Sequence, residues 1–281
     1  MPKRPATVRA RGLGAELREL RHNTGLSTRA VAARLDWSPS MLNRIENGQR
    51  TITTEDVSAL LVLYEITGAE RDRLLGLARD STQPGWWETR APGLPSQLTA
   101  LIGFESQATH ITDVQLALIP GLLQTPEYTR ALMQGGGVPA LEAETRVATR
   151  LGRQAVLSRP HPPEYLAIID EASLRRPVGD EAVMAEQLRH VVRVAKRQNT
   201  TVQVIPYQQG AHPGLNGAYV ILKFAKARTI VHLEHKRSSL FLDEPDDVKP
   251  FVAGVDTLRE VALDPAQSAA FLDTVAAEYD R

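Results

Sequence analysis

Residues Ser38–Arg50 read SPSMLNRIENGQR, and the reading of this stretch decides the rest. Ser38 suits a helix N-cap, Pro39 the first helical position, and Gly48 the position just past the end. Leu42 and Ile45 point towards a core. Ser40, Asn43, Arg44 and Asn47 recur at helical spacing and share the opposite face. A helix this short gains little from its own propensity, so a stripe holding two Asn, a Ser and an Arg calls for a reason beyond solubility.

The flanking sequence supplies one. Upstream, Leu13, Leu17 and Leu20 predict a first helix that ends near Thr24-Gly25. Ser27 caps a second helix with Val31 and Leu35 inward, and Ala32 is small enough to let another helix approach closely. Asp36-Trp37 makes a tight turn into the quoted helix. Downstream, Thr53 or Thr54 caps a longer helix with Val57, Leu60, Leu61 and Tyr64 on one stripe, and a last helix runs from about residue 69 to 79. Two short helices joined by a tight turn, the second with a polar outer face, make a helix-turn-helix. Its second helix enters the major groove of double-stranded DNA and its first braces the fit. Ser40 and Asn43 can exchange hydrogen bonds with base edges, and Arg44 suits guanine O6 and N7. Asn47 shares that face. Ser27, Thr28, Ser38 and Pro39 sit at helix starts whose N–H groups can hold phosphate, and Gln49 and Arg50 fall beside the DNA backbone.

Charge agrees with this assignment. The whole chain has a formal net charge of zero, but residues 1–52 hold ten Lys and Arg against four Asp and Glu, leaving the remaining residues net acidic by six. A basic head on an acidic body puts the polyanion partner at the head. The 281 residues suffice for two domains. The absence of cysteine excludes disulfides and thiolate metal sites and fits a reducing cytoplasm. The basic N-terminus is followed by no apolar signal-peptide core, and no apolar run is long enough for a membrane span.

The sequence predicts a boundary at 80/81, in a stretch rich in turn residues that includes Trp86 and Trp87. Adjacent tryptophans there are read as packing residues that lock domains together rather than as a ligand platform. Beyond it come a helix over about 95–108, the extended ITDVQLALIPGLLQT (111–125), and helices over about 125–133 and 141–158. Gly135-Gly136-Gly137 reads as a flexible connection. EYLAIIDEASL (164–174) reads as a buried strand entering a short helix. Met184, Leu188, Val191, Val192 and Ala195 mark an amphipathic helix. Three or four strands follow, drawn from TVQVIPY, AYVILKFA, TIVHLEH and SSLFLDE, and two helices close the chain. The fold expected is a mainly α N-terminal helix-turn-helix bundle over 1–80 plus an α+β C-terminal domain over 81–281.

The segment LRHNTGLSTRAVAARLDWSPSMLNRIENGQRTIT resembles the helix-turn-helix of the XRE family of phage-type repressors. It carries the family's Leu26-Ser27, Ala32, Ser38-Pro39-Ser40 and Ile45-Glu46-Asn47-Gly48-Gln49-Arg50. Asp36 departs from it, since Gly is usual in that turn. The resemblance implies that Arg21 pairs with Glu46 and so sets the angle of the reading helix. The motifs GWWE, FESQATHI, IPGLLQTPEYTRAL, RLGRQAVL, IIDEASLRRPVG, QLRHVV and VQVIP are similar to the landmarks of a C-terminal domain found in actinobacterial WhiJ-like regulators, also described as antitoxin-like. The resemblance implies a small partner protein encoded nearby. It assigns no chemistry to PGLLQT, which reads as a strand exit with Gly121 in an unusual backbone angle and Thr125 capping the next helix.

Enzyme chemistry finds little support. His232 and His235 face opposite ways in a strand, and no HExxH, Walker loop, GxSxG or dinucleotide fingerprint is present. His110, His161 and His212 are isolated, with solvated or capping roles expected. Glu164, Asp170 and Glu171 have no ring of partners. The reading is therefore a DNA-binding, antitoxin-like regulator and not an enzyme. It uses no cofactor or metal, its C-terminal domain forms a homodimer, and that domain binds a small partner protein or a signal. The alternative is a small-molecule sensor or an enzyme tethered to DNA.

Overall fold

The computed structural model describes residues 8–50, 52–82, 96–235 and 238–280. The chain divides into two compact units, residues 1–107 with 225–227, and residues 108–224 with 228–281. Trp86 and Trp87 lie outside the described residues.

The first unit is helical: α1 (Val8–Asn23), α2 (Thr28–Arg34), α3 (Pro39–Glu46), α4 (Thr54–Leu63), α5 (Gly68–Thr82) and α6 (Ser96–Glu105). Side-chain caps begin three of them. Ser27 accepts from the Ala30 N–H, Ser38 from Met41 and Thr53 from Asp56, each at 3.1 Å. These satisfy N–H groups that a helix start leaves without partners. Leu13, Leu17, Val31, Leu42, Ile45, Val57, Leu60, Leu61 and Leu74 form one core, as the stripes of the sequence predict. The grouping takes α6 into this unit, beyond the 80/81 boundary suggested by composition.

The second unit holds a six-stranded sheet in the order β3-β2-β1-β4-β5-β6. The strands are β1 (His110–Gln115), β2 (Glu164–Asp170), β3 (Thr200–Ile205), β4 (Tyr219–Lys223), β5 (Ile230–His235) and β6 (Ser238–Leu242). The first three are parallel and the last three form an antiparallel meander joined to β1 through β4. Parallel pairing demands long crossovers. Those are α7 (Pro126–Gly135) with α8 (Ala140–Gln154), then α9 (Glu171–Arg175) with α10 (Glu181–Ala195). The run of buried residues in β2 and β3 follows, since helices cover both faces there. On one face α11 (Pro245–Val261) places Val248, Phe251, Val255 and Leu258 against Val114, Ile168, Tyr219, Ile221 and Val231. The last helix, α12 (Pro265–Glu278), packs against α10 and β3. The α+β architecture read from the sequence is the one observed.

The local readings inside this unit need three corrections. The three glycines at 135–137 form a defined helix end and not a loose connection. Gly136 is the C-cap, Gly137 takes a φ of +72°, and the Val138 N–H closes on the Met133 carbonyl at 3.0 Å. Gly121 does not use left-handed backbone; a short 3-10 turn (Gly121–Leu123) carries the chain instead. His212 is not solvated, and although it stands at the start of a 3-10 turn (Pro213–Asn216) its side chain makes no capping bond. It is buried, and its Nε2 lies 3.1 Å from the Asp170 carboxylate, which also caps α9.

The PGLLQT segment gains a physical account. Leu122, Leu123, Gln124 and Thr125 are all buried on irregular backbone, whose polar groups must be satisfied by side chains. Gln187 does so from α10, accepting from the Thr125 N–H and donating to the Leu123 carbonyl, both at 2.7 Å. Gln154 donates to the Gln124 carbonyl at 2.6 Å, and Gln124 donates to that of Ile119 at 2.7 Å. Thr125 caps α7, as expected, accepting from the Tyr128 N–H at 3.2 Å.

Candidate nucleic-acid interface

The path from α2 to α3 is set by one turn. Asp36 sits at φ +56°, and the Trp37 N–H bonds the Ala32 carbonyl at 2.8 Å. This is the capping geometry that usually takes Gly, and Asp adopts it at moderate cost. The far end of α3 repeats it with the residue that geometry prefers. Gly48 has φ +64°, its N–H bonds the Ile45 carbonyl at 2.9 Å, and the Gln49 N–H bonds that of Arg44 at 2.7 Å. Both ends of α3 are therefore pinned, and Gln49 and Arg50 leave the helix in a fixed direction.

Two contacts fix α3 against α1. The Arg21 guanidinium meets the Glu46 carboxylate in a two-pronged bond, Nε to Oε1 at 2.7 Å and Nη2 to Oε2 at 2.9 Å. Arg21 also donates to the Leu26 carbonyl at 3.0 Å, which ties the start of α2 to the same group. Both side chains are buried, and the hydrogen bonds that Arg21 donates to Glu46 hold its pKa above the ordinary value despite desolvation. The pairing implied by the XRE resemblance is present. The second contact is Gly14. A Cβ there would lie 2.8 Å from the Glu46 carbonyl oxygen and closer still to that of Ile45. The two helix backbones meet at this point.

The outward side of α3 carries the candidates. Ser40, Asn43, Arg44 and Asn47 are exposed, while Leu42, Ile45 and Glu46 are buried beneath them. Ser38, Pro39, Gln49 and Arg50 are exposed at the two ends of the helix. Ser27 is exposed at the start of α2, and Thr28 beside it is half-buried. The hydroxyl oxygens of Ser27 and Ser38 already accept capping bonds, so what they offer a phosphate is the hydroxyl hydrogen.

Sequence reasoning missed Gly14 and a second ion network. Arg73 of α5 is held by Glu70, at 2.7 and 2.8 Å, and by Glu16 of α1. A signal existed for Glu16, since it falls on the Leu13, Leu17 and Leu20 stripe, where a carboxylate needs a partner. Elsewhere His232 is buried, stacked on Phe241 at 4.6 Å and bonded to Ser239 at 2.6 Å, while His235 is exposed. Asp170 and Glu171 are used structurally, Glu171 by Arg175 and by the Tyr207 N–H at 2.8 Å. Among the described residues no cluster of three His, Asp or Glu side chains is arranged to hold a metal, and no helix is long and apolar enough to cross a membrane.

A short pinned helix with a polar outer face, braced by a second across a tight turn, defines a helix-turn-helix DNA-binding domain. Residues 12–74 match a family described as Helix-turn-helix domain, which marks the chain as a DNA-binding regulator. Residues 98–274, more than half of the chain, match the family described as Domain of unknown function (DUF5753), and the chain belongs to that family. No curated protein and no solved structure matches it.

Proposed function

We propose that this protein is a sequence-specific transcription regulator of the antitoxin-like, XRE type. In this reading α3 reads bases in the major groove, and residues 81–281 join two copies and take a small partner protein or signal. The observation that carries the DNA reading is the exposed Ser40, Asn43, Arg44 and Asn47 face, presented from a helix locked by the buried Arg21–Glu46 pair. A locked helix delivers its side chains at one depth and angle, which base reading requires and simple charge attraction does not. The WhiJ-like motifs of the sequence support an actinobacterial regulator with a partner encoded by a neighbouring gene. The net acidity of the remainder of the chain, six charges beyond residue 52, supports a surface kept off DNA and open to protein. The reading assigns the chain no catalysis and no cofactor.

Selection of bound sequences from random DNA by the full-length chain tests the proposal. The expected product is an inverted repeat with half-sites about one helical turn apart. Recovery of sequences no different from the starting pool would remove the claim of specificity. Recovery of a single unrepeated site would remove the dimer.

A further inference from the structure

Between α11 and the sheet, at the end where β1 and β2 begin, the second unit leaves a cleft of about 260 Å³. Val114 and Ile168 are sealed under α11, but Leu166, two residues earlier on the same face of β2, stays half-buried. Leu166 and Ile221 give the cleft an apolar floor, and Val252 of α11 gives it an apolar wall. Four charged side chains also reach it, Glu164 and Lys223 from the sheet and Asp256 and Arg259 from α11. Glu164 on β2 and Lys223 on β4 are both register partners of His110 on β1, which lies between them with its Nδ1 3.1 Å from the Thr109 hydroxyl. Asp256 and Arg259 are i and i+3, so they share a face of the helix. Each wall therefore offers one acid and one base. Elsewhere in this unit such groups pair, as Arg228 does with Glu244 and Arg175 with Glu278. Among the described residues none of the four at the cleft makes a side-chain hydrogen bond or ion pair.

These charges select the ligand. A simple anion that reached Lys223 or Arg259 would also meet Glu164 and Asp256, and a simple cation would meet the reverse. A molecule that is neutral overall, carries both signs and has an apolar body suits the two walls and the floor together. Glu164 and Lys223 stand two strand spacings apart, about 10 Å between backbones, so their side chains can close on an ammonium and a carboxylate carried by one carbon. The volume falls below the roughly 300–1,000 Å³ of sites for drug-sized ligands, which favours a small molecule. We infer that this cleft binds a free aliphatic α-amino acid, with Glu164 holding the ammonium, Lys223 the carboxylate and Leu166 the side chain. The inference rests on the proposed reading of residues 81–281 as the part that takes a partner or signal, and it gives the signal a chemistry.

Thermal melts of the full-length protein with each standard amino acid in turn, followed by calorimetry with leucine, test this. Leucine is expected to raise the melting temperature, since a ligand of the folded state alone stabilises it. Isocaproate, which lacks the ammonium, and leucinamide, which lacks the carboxylate, are each expected to bind about tenfold more weakly, because one buried charge contact is lost. Glu164→Gln and Lys223→Met, both at exposed positions, are expected to leave the ligand-free melt unchanged and to weaken leucine binding by a similar factor. The inference is overturned if no amino acid raises the melting temperature, if either analogue binds as tightly as leucine, or if both variants bind leucine like the wild type. None of these results bears on operator selection, so they remove the site and leave the regulator reading standing. A chain that selects no operator removes that reading, while the same calorimetry still decides the site.

Discussion

Arg44 and Arg50 are both exposed arginines six positions apart, and they are expected to do different work. Arg44 stands on the reading face of α3, so Arg44→Ala should cost about 1–3 kcal/mol on the cognate site and blur preference at one position. Arg50 leaves the helix beyond Gly48, so Arg50→Ala should weaken cognate and scrambled DNA alike and lower the salt slope by about one. Anisotropy titrations of both variants on both DNAs separate the roles; equal weakening by Arg44→Ala would reassign it to phosphate. Arg21 and Glu46 pose a different question, because a buried pair gives little net stability while half of one is costly. Arg21→Met alone should lose about 3–5 kcal/mol in denaturant melts. Arg21→Met with Glu46→Leu should regain most of that stability yet bind operator poorly, because the bond that sets the angle of α3 is gone. Full affinity in the double variant would show that packing alone orients the helix.

The helix-turn-helix depends on two close backbone events, one at Gly14 and one at Asp36. Gly14→Ala improves helix propensity by up to about 1 kcal/mol. The clash of its methyl with the Ile45 and Glu46 carbonyls outweighs this, because backbone cannot give way as a side chain can. A net loss of about 1–2 kcal/mol is expected, with a further loss of DNA affinity as α3 is pushed off α1. A variant with unchanged melting and binding would mean that the two helices slide freely. At Asp36 the direction reverses. Asp36→Gly relieves the left-handed backbone and should raise stability by about 0.5–1 kcal/mol, while Asp36→Val should lower it by about 1–2 kcal/mol. The XRE pattern points to glycine at this turn, and the observed φ of +56° gives the physical reason.

At the scale of the whole molecule, regulation requires that a partner distinguish free from DNA-bound protein. A partner that prefers the free form lowers DNA affinity, and DNA must lower partner affinity by the same factor. Calorimetry of the neighbouring-gene product with full-length protein, with and without operator, is expected to give binding constants that differ about 5–150-fold. Identical constants would leave the second unit a passive tether or a sensor of another molecule.

The caps, stripes and turn of residues 27–50 were legible in the sequence because they are local. Ser27, Ser38 and Gly48 act within a few residues of themselves, and the Leu13, Leu42 and Val57 stripes follow helical period alone. The strands β2 to β6 were legible for a similar reason, as short apolar runs between turns. Sheet order was not, since nothing in β1 states that β2 will lie on one side of it and β4 on the other. The same holds for Gly14, His212 and the glutamines around PGLLQT. Each looks unremarkable in its own segment, and each is decided by groups well separated in sequence: Gly14 by the Glu46 carbonyl, His212 by Asp170, and Leu123 and Thr125 by Gln187. Sequence alone determined which segments are helix or strand and which helix face is polar, because those properties arise from neighbours along the chain. Which buried polar group meets which partner, and in what order the strands pair, was decided only by tertiary structure, because both depend on where distant segments are brought together.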